Sequence, residues 1–138
     1  MIAAMRSLIL LLFTTALCAC NMGHHSGTGP LESLELNNSE KWQMSPEMGA
    51  MFAESVAYFQ DANYSTLDTA GLKSVGSGLH QRMLKIIQAC NMRGPAHDQL
   101  HVFIMGYMPA ISKLADEGTI ADAELVDVYL TTYTEYFE

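Results

Sequence analysis

The fold is decided by residues 72–118, LKSVGSGLHQRMLKIIQACNMRGPAHDQLHVFIMGYMPAISKLADEG, which contain two long helical patterns. Gly94-Pro95 separates the two patterns. Because glycine commonly ends a helix and proline commonly begins one, this pair predicts a tight junction between antiparallel helices. We predict these helices over residues 66–91 and 95–117. Apolar positions gather on one face of each helix, namely Leu72, Val75, Leu79, Met83, Ile86 and Cys90 in the first and Leu100, Ile104, Tyr107, Ile111 and Leu114 in the second.

Two more helical patterns flank this central pair. Ser45-Pro46 is a typical helix start, because serine caps the first turn and proline fits the first helical position, and the helix is predicted to run to Asp61. A last helix is predicted from about residue 119 or 122 to 137, with an inner face made of Leu125, Val128, Tyr129, Thr132 and Tyr136. No alternating strand pattern interrupts the series. The sequence therefore predicts an all-α, antiparallel four-helix bundle, with a three-helix bundle and a docked first helix as the alternative.

Three glycines lie in the first half of the second predicted helix. Gly71, Gly76 and Gly78 each lower the helix stability by up to about 1 kcal/mol relative to alanine. Their presence predicts that this half is bent or packs closely against a neighbouring helix.

The start of the chain has the order of a secretory signal. A short segment that carries Arg6 precedes an apolar run over residues 7–16, and small residues around Ala19 follow. The run is shorter than the roughly 20 residues that a spanning helix needs, so a transmembrane anchor is the weaker interpretation.

The sequence Leu17-Cys18-Ala19-Cys20 resembles the lipobox of bacterial lipoproteins. This resemblance implies cleavage before Cys20 and acylation of that cysteine, which would anchor the protein to a membrane through lipid. The residue after Cys20 is Asn21, in place of the aspartate that retains many lipoproteins at the inner membrane. If the host is Gram-negative, this resemblance implies the outer membrane, facing the periplasm. The predicted organisation is a signal peptide over 1–19, a lipidated flexible tether over 20–38, and a helical bundle over 39–138.

The charge balance limits the partners of the exported chain. Residues 1–19 contain one basic and no acidic residue, so the remaining 119 residues carry 6 basic and 15 acidic residues, a formal charge of −9. Such a surface repels phosphate backbones, and we therefore expect no nucleic-acid partner.

The candidate site lies at the Gly94-Pro95 junction. Cys90, Met92, His97 and His101 occur within twelve residues, and the two histidines are four apart, which places them on one helix face. Imidazole, thiolate and thioether suit Cu(I), and cysteine with histidine also suits Zn(II). With Cys18 removed and Cys20 acylated, Cys90 is the only free thiol, and plain core packing is its alternative role.

Methionine is the second signal for copper. The chain has ten methionines, and Met105 and Met108 lie on the same side of their helix as the two histidines. Met48, Met51 and Met83 lie at core spacing, where methionine is a common filler.

The sequence therefore predicts a lipid-anchored protein that binds or senses a soft metal, most readily copper, with zinc a weaker prediction. One alternative is an envelope protein–protein interaction module in which Cys90 and His97 are core residues. A second alternative is non-covalent haem held by Met48 or Met51 with His97 or His101, since no CxxCH motif occurs. An enzyme ranks lower, because the chain has no HExxH, GxSxG, P-loop or GxGxxG motif.

Overall fold

Four α-helices dominate residues 29–138, the part of the chain that the computed structural model describes. They are α1 (Pro46–Asp61), α2 (Thr69–Ala89), α3 (Pro95–Glu117) and α4 (Ile120–Tyr136). The predicted all-α four-helix bundle is confirmed. The signal peptide, the lipobox and Cys20 lie outside the described residues. None of the four helices combines the length and the hydropathy needed to cross a bilayer.

Side-chain caps set where the helices begin. The Ser45 hydroxyl accepts a hydrogen bond from the Met48 backbone N–H at 3.4 Å, and α1 begins at Pro46 as predicted. The Asp68 carboxylate accepts one from the Gly71 N–H at 2.8 Å. Asp68 is the N-cap residue and has extended backbone geometry, so α2 begins at Thr69. This start is three residues later than the sequence predicted.

A glycine lies at each end of α3. Gly94 has a φ of 83° and Gly118 has a φ of 65°, backbone geometry that other residues rarely adopt. Gly118 therefore ends α3, as predicted, and Gly94 reverses the chain between α2 and α3. Helices α2 and α3 pack closely against each other: a Cβ atom added at Gly76 would lie 2.8 Å from the Ala115 Cα. The predicted close packing of the glycine-rich half of α2 is confirmed at Gly76.

Aromatic rings fill the centre of the core. Phe103 of α3 packs edge-on against Phe52 of α1 and against Tyr129 and Tyr133 of α4, with ring centroids 5.6–6.1 Å apart. Phe52 and Tyr133 stack at 4.2 Å. Such pairs add about 0.5–1.5 kcal/mol each beyond the area they bury. The predicted apolar face of α2 is buried except at Cys90, which is half-buried.

The predicted inner face of α4 is only partly right: Tyr129 is buried, and Leu125 and Tyr136 pack against the core at its edge. The structure buries Asp122, Ala123, Val126, Tyr129, Leu130 and Tyr133. Val128 is exposed, and Leu125, Thr132 and Tyr136 are half-buried. The apolar residues of α4 are distributed around the helix, so their periodicity does not select one face.

The chain packs against the bundle before residue 39, the predicted start of the domain. A 3₁₀ turn over Gly29–Ser33 lies along α3, and Leu34 is buried in the core. The Glu35 N–H donates to the Gln99 side chain at 2.9 Å. Leu31, Leu34 and Glu35, in the last ten residues of the predicted tether, thus contact the bundle.

A short backbone bridge joins the start of the bundle to its end. The Trp42 N–H donates to the Tyr136 carbonyl at 2.8 Å, and the Met44 N–H donates to the Glu138 carbonyl at 2.7 Å. The Trp42 indole N–H donates to the Glu35 carbonyl at 2.6 Å. These bonds hold the segment before α1 against the end of α4.

Candidate metal centre

Cys90 and His97 lie on opposite sides of the α2–α3 junction. Cys90 directly follows α2 in extended backbone geometry, and its N–H donates to the Ile87 carbonyl at 3.4 Å. Gly94 and Pro95 then reverse the chain, so that His97 lies in the first turn of α3. Two helices that meet at a tight turn bring these two side chains to one end of the bundle.

His97 and His101 form the closest pair of candidate ligands. Their Nε2 atoms are 3.0 Å apart, and their ring centroids are 4.3 Å apart with an angle of 61° between the planes. His97 is 29% exposed and His101 is more exposed. At 3.0 Å one imidazole N–H must donate to the other nitrogen, because two facing lone pairs repel each other. The two Nε2 atoms are therefore hydrogen-bonded to each other, one as donor and the other as acceptor.

A groove between α2 and α3 contains this pair. It encloses about 260 Å³ and is lined by Ile87, Cys90, His97, Leu100, His101 and Ile104. Three of the four predicted ligands therefore line one concave surface, and apolar side chains form the rest of its walls. Ile87 and Ile104 are wall residues that the sequence analysis did not identify; Ile104 had the spacing of a core residue but is only half-buried.

Met92, the fourth predicted ligand, does not line this groove. Its side chain is half-buried and packs against the hydrophobic core. It lies in the irregular segment between α2 and α3, where helical spacing does not determine side-chain direction. The structure therefore brings together two imidazoles and one thiol, but not the thioether of Met92.

The groove is not a preformed three-ligand metal site. Within residues 29–138 there is no group of three or more His, Cys, Asp or Glu side chains close enough to hold a metal ion together. The Nδ1 atom of His97 lies 3.7 Å from the Asp98 carboxylate.

Two other concave surfaces lie away from the histidines. Met51, one of the predicted haem ligands, lines a depression between α1 and α2 together with Glu54 and Arg82. A wider groove of about 380 Å³ between α1 and α4 has Tyr133 and Phe137 among its walls. Neither surface includes His97 or His101. Met48, the other predicted haem ligand, is fully buried in the core.

Comparison with known proteins adds no functional assignment. No protein-family model, no curated protein and no solved structure matches this chain.

Proposed function

We propose that this protein is a lipid-anchored envelope protein that binds a soft metal ion, most readily Cu(I), in the α2–α3 groove. The observation that carries the proposal is the 3.0 Å separation between the Nε2 atoms of His97 and His101. Two imidazole nitrogens at this distance, four residues apart on one helix, can chelate a single ion with only small side-chain rotations.

Cys90 is the third ligand in this proposal. Its thiol lines the same groove, and a bound cation favours the thiolate form that ligates metals. Structural zinc sites take four ligands in a tetrahedron, whereas a soft thiolate beside imidazoles suits Cu(I). The apolar walls formed by Ile87, Leu100 and Ile104 would limit water access to the bound ion.

The rest of the chain fits a cation-binding role in the cell envelope. Residues 20–138 carry a formal charge of −9, which raises the local concentration of cations without selecting among them. Acylation of Cys20 would keep the bundle at a membrane surface. The proposed protein is therefore a tethered copper-binding domain rather than an enzyme.

A competition titration tests this proposal. The reduced full-length chain is titrated with Cu(I) against a chromophoric chelator in a Cys18→Ser, Cys20→Ser background, so that Cys90 is its only thiol. In this background the parent chain is compared with His97→Ala and Cys90→Ser. We expect the parent chain to bind one equivalent of Cu(I). His97→Ala should lose this equivalent or bind it about a hundredfold more weakly, because one of the two chelating nitrogens is gone. Cys90→Ser should weaken the same equivalent by about tenfold or more.

His80→Ala is the matched control, because His80 lies on α2 and does not line the groove. It should keep the full Cu(I) affinity. It shows whether the loss of a histidine outside the groove changes Cu(I) binding. Equal Cu(I) binding by the parent chain, His97→Ala and Cys90→Ser, with folding intact by circular dichroism, would contradict the proposal and make these residues structural.

A further inference from the structure

Met105 is the most exposed large apolar side chain in the described part of the chain. It is 71% exposed, whereas the other exposed apolar side chains, such as Val128 and Leu84, are 42–45% exposed. Its flexible, polarizable thioether is therefore available to solvent.

The position of Met105 relates it to the histidine pair. Met105 follows His101 by four residues within α3, so their Cβ atoms are about 5–6 Å apart on one face of the helix. Long side chains in a helix lean towards its N-terminus, which directs the Met105 thioether over the turn that carries His101.

The neighbouring methionines do not share this arrangement. Met108 and Met92 are both half-buried and pack against the core. His97 is eight residues from Met105, about 12 Å along the helix axis, so Met105 is a helix neighbour of His101 but not of His97.

We infer that Met105 and His101 form an outer soft-metal position beside the His97–His101 pair. It takes Cu(I) or Ag(I) through one thioether and one imidazole, and it does not take Zn(II), for which a thioether is a poor ligand. An ion held there reaches the inner pair by exchanging Met105 for His97 while His101 stays bound, with no change in oxidation state. The inference rests on the proposed function of the groove, which it extends with an entry position and a reason for selectivity.

Methyl NMR of the full-length chain with ¹³C-labelled methionine ε-methyl groups tests the outer position. Ag(I) is the probe, since it is a soft, redox-inert ion, and the Met105 signal is the one that disappears in Met105→Leu. In a background with His97→Ala and all three cysteines changed to serine, which removes the inner pair and the competing thiols, we expect Ag(I) to shift the Met105 signal. Adding His101→Ala should weaken that response by about tenfold or more.

Two controls accompany this titration. The Met108 signal, identified in Met108→Leu, should not move, because Met108 packs against the core. Zn(II) should leave the Met105 signal in place. The inference is wrong if Ag(I) does not shift the Met105 signal, or if the shift is equally strong after His101→Ala. That failure is distinct from failure of the proposed function, which is decided by the effect of His97→Ala and Cys90→Ser on Cu(I) affinity.

Discussion

At the scale of single residues, the Tyr107 hydroxyl is an unusual feature of the core. It is fully buried and has no hydrogen-bond partner among residues 29–138. Burial raises the pKa of Tyr107 above its usual value, so the group remains a protonated, unpaired hydroxyl. A buried polar group without a partner costs free energy that an apolar ring avoids.

We therefore predict that Tyr107→Phe leaves the free energy of unfolding unchanged or raises it by up to about 1 kcal/mol. Urea denaturation followed by circular dichroism measures the change. Tyr107→Ala is the comparison, because it removes the ring as well and should cost about 3–5 kcal/mol. If Tyr107→Phe cost more than about 1 kcal/mol, the hydroxyl would have a hydrogen-bond partner in solution.

The candidate ligands show for which residues the sequence spacing predicts a shared position. His97 and His101 could be paired from the sequence, because residues four apart in a helix share a face. Cys90 could be placed near them, because it ends the helix that the Gly94-Pro95 junction reverses. Met92 could not be placed, since it lies in the irregular connection between α2 and α3, where side-chain direction depends on tertiary packing.

At the scale of elements, α4 starts with a reciprocal cap that is tied to α3. The Asp122 N–H donates to the Thr119 hydroxyl at 3.2 Å, and the Asp122 carboxylate accepts from the Thr119 N–H at 3.3 Å. Lys113 of α3 reaches the same carboxylate at 3.0 Å. Burial alone would raise the pKa of Asp122, but the hydrogen bonds from Thr119 and Lys113 outweigh it and lower the pKa below its usual value.

This balance gives a stability effect with a defined pH dependence. A carboxyl whose pKa is lowered by folding stabilises the protein above its unfolded-state pKa, near 4, and loses that contribution as pH falls through the folded-state pKa. We predict that Asp122→Asn lowers the free energy of unfolding by about 1 kcal/mol relative to the wild type at every pH between 5 and 7. The difference from the wild type should shrink below about pH 4.

Urea denaturation at pH 7, 5 and 3 measures this effect. Asp116→Asn is the control, because Asp116 is an exposed residue of α3 and should change the stability by less than about 0.5 kcal/mol at each pH. A penalty for Asp122→Asn that stays constant down to pH 3 would mean that lost hydrogen-bond geometry, rather than lost charge, is responsible.

The α2–α3 contact gives a second prediction at this scale. Gly76 faces the α3 backbone so closely that a Cβ atom would lie 2.8 Å from the Ala115 Cα and 2.8 Å from the Leu114 carbonyl carbon. Backbone atoms of a packed helix cannot rotate away, so the two helices must separate. We predict that Gly76→Ala lowers the free energy of unfolding by about 1–3 kcal/mol, despite the better helix propensity of alanine.

Gly49→Ala is the matched control in this comparison, measured by the same urea denaturation. A Cβ at Gly49 would meet only the Met44 Cβ, at an ordinary 3.9 Å, so this change should raise the stability by up to about 1 kcal/mol. Similar gains from both changes would show that α2 and α3 do not pack as closely as the structure has them.

The helices differ in how well their sequence predicts their buried face. In α2 the apolar residues recur every three or four positions, and the predicted face is the buried one. In α4 the apolar side chains surround the helix, and neighbours on several sides decide which of them are covered. The helix ends were predictable within two or three residues, because Pro46, Pro95 and Gly118 act locally on the backbone.

At the scale of the whole molecule, the start of the domain was the least predictable feature. Residues 29–38 are rich in polar residues typical of a tether, yet Leu34 is buried and Trp42 bonds back to the Glu35 carbonyl. The burial of Leu34 depends on a surface that only the folded bundle supplies. If Cys20 carries the lipid, fewer than ten residues separate it from the packed domain, so the anchor would hold the bundle close to the membrane.

The proposed anchor can be tested with the whole chain expressed in a Gram-negative bacterium. We predict that the wild type fractionates with membranes and that Cys20→Ser abolishes this association, because loss of the thiol removes the site of acylation. Cys18→Ser is the control and should remain membrane-bound. Emission of Trp42, the single tryptophan, should be the same in all three chains if the fold is unchanged. Membrane association of Cys20→Ser equal to that of the wild type would refute lipid anchoring at this residue.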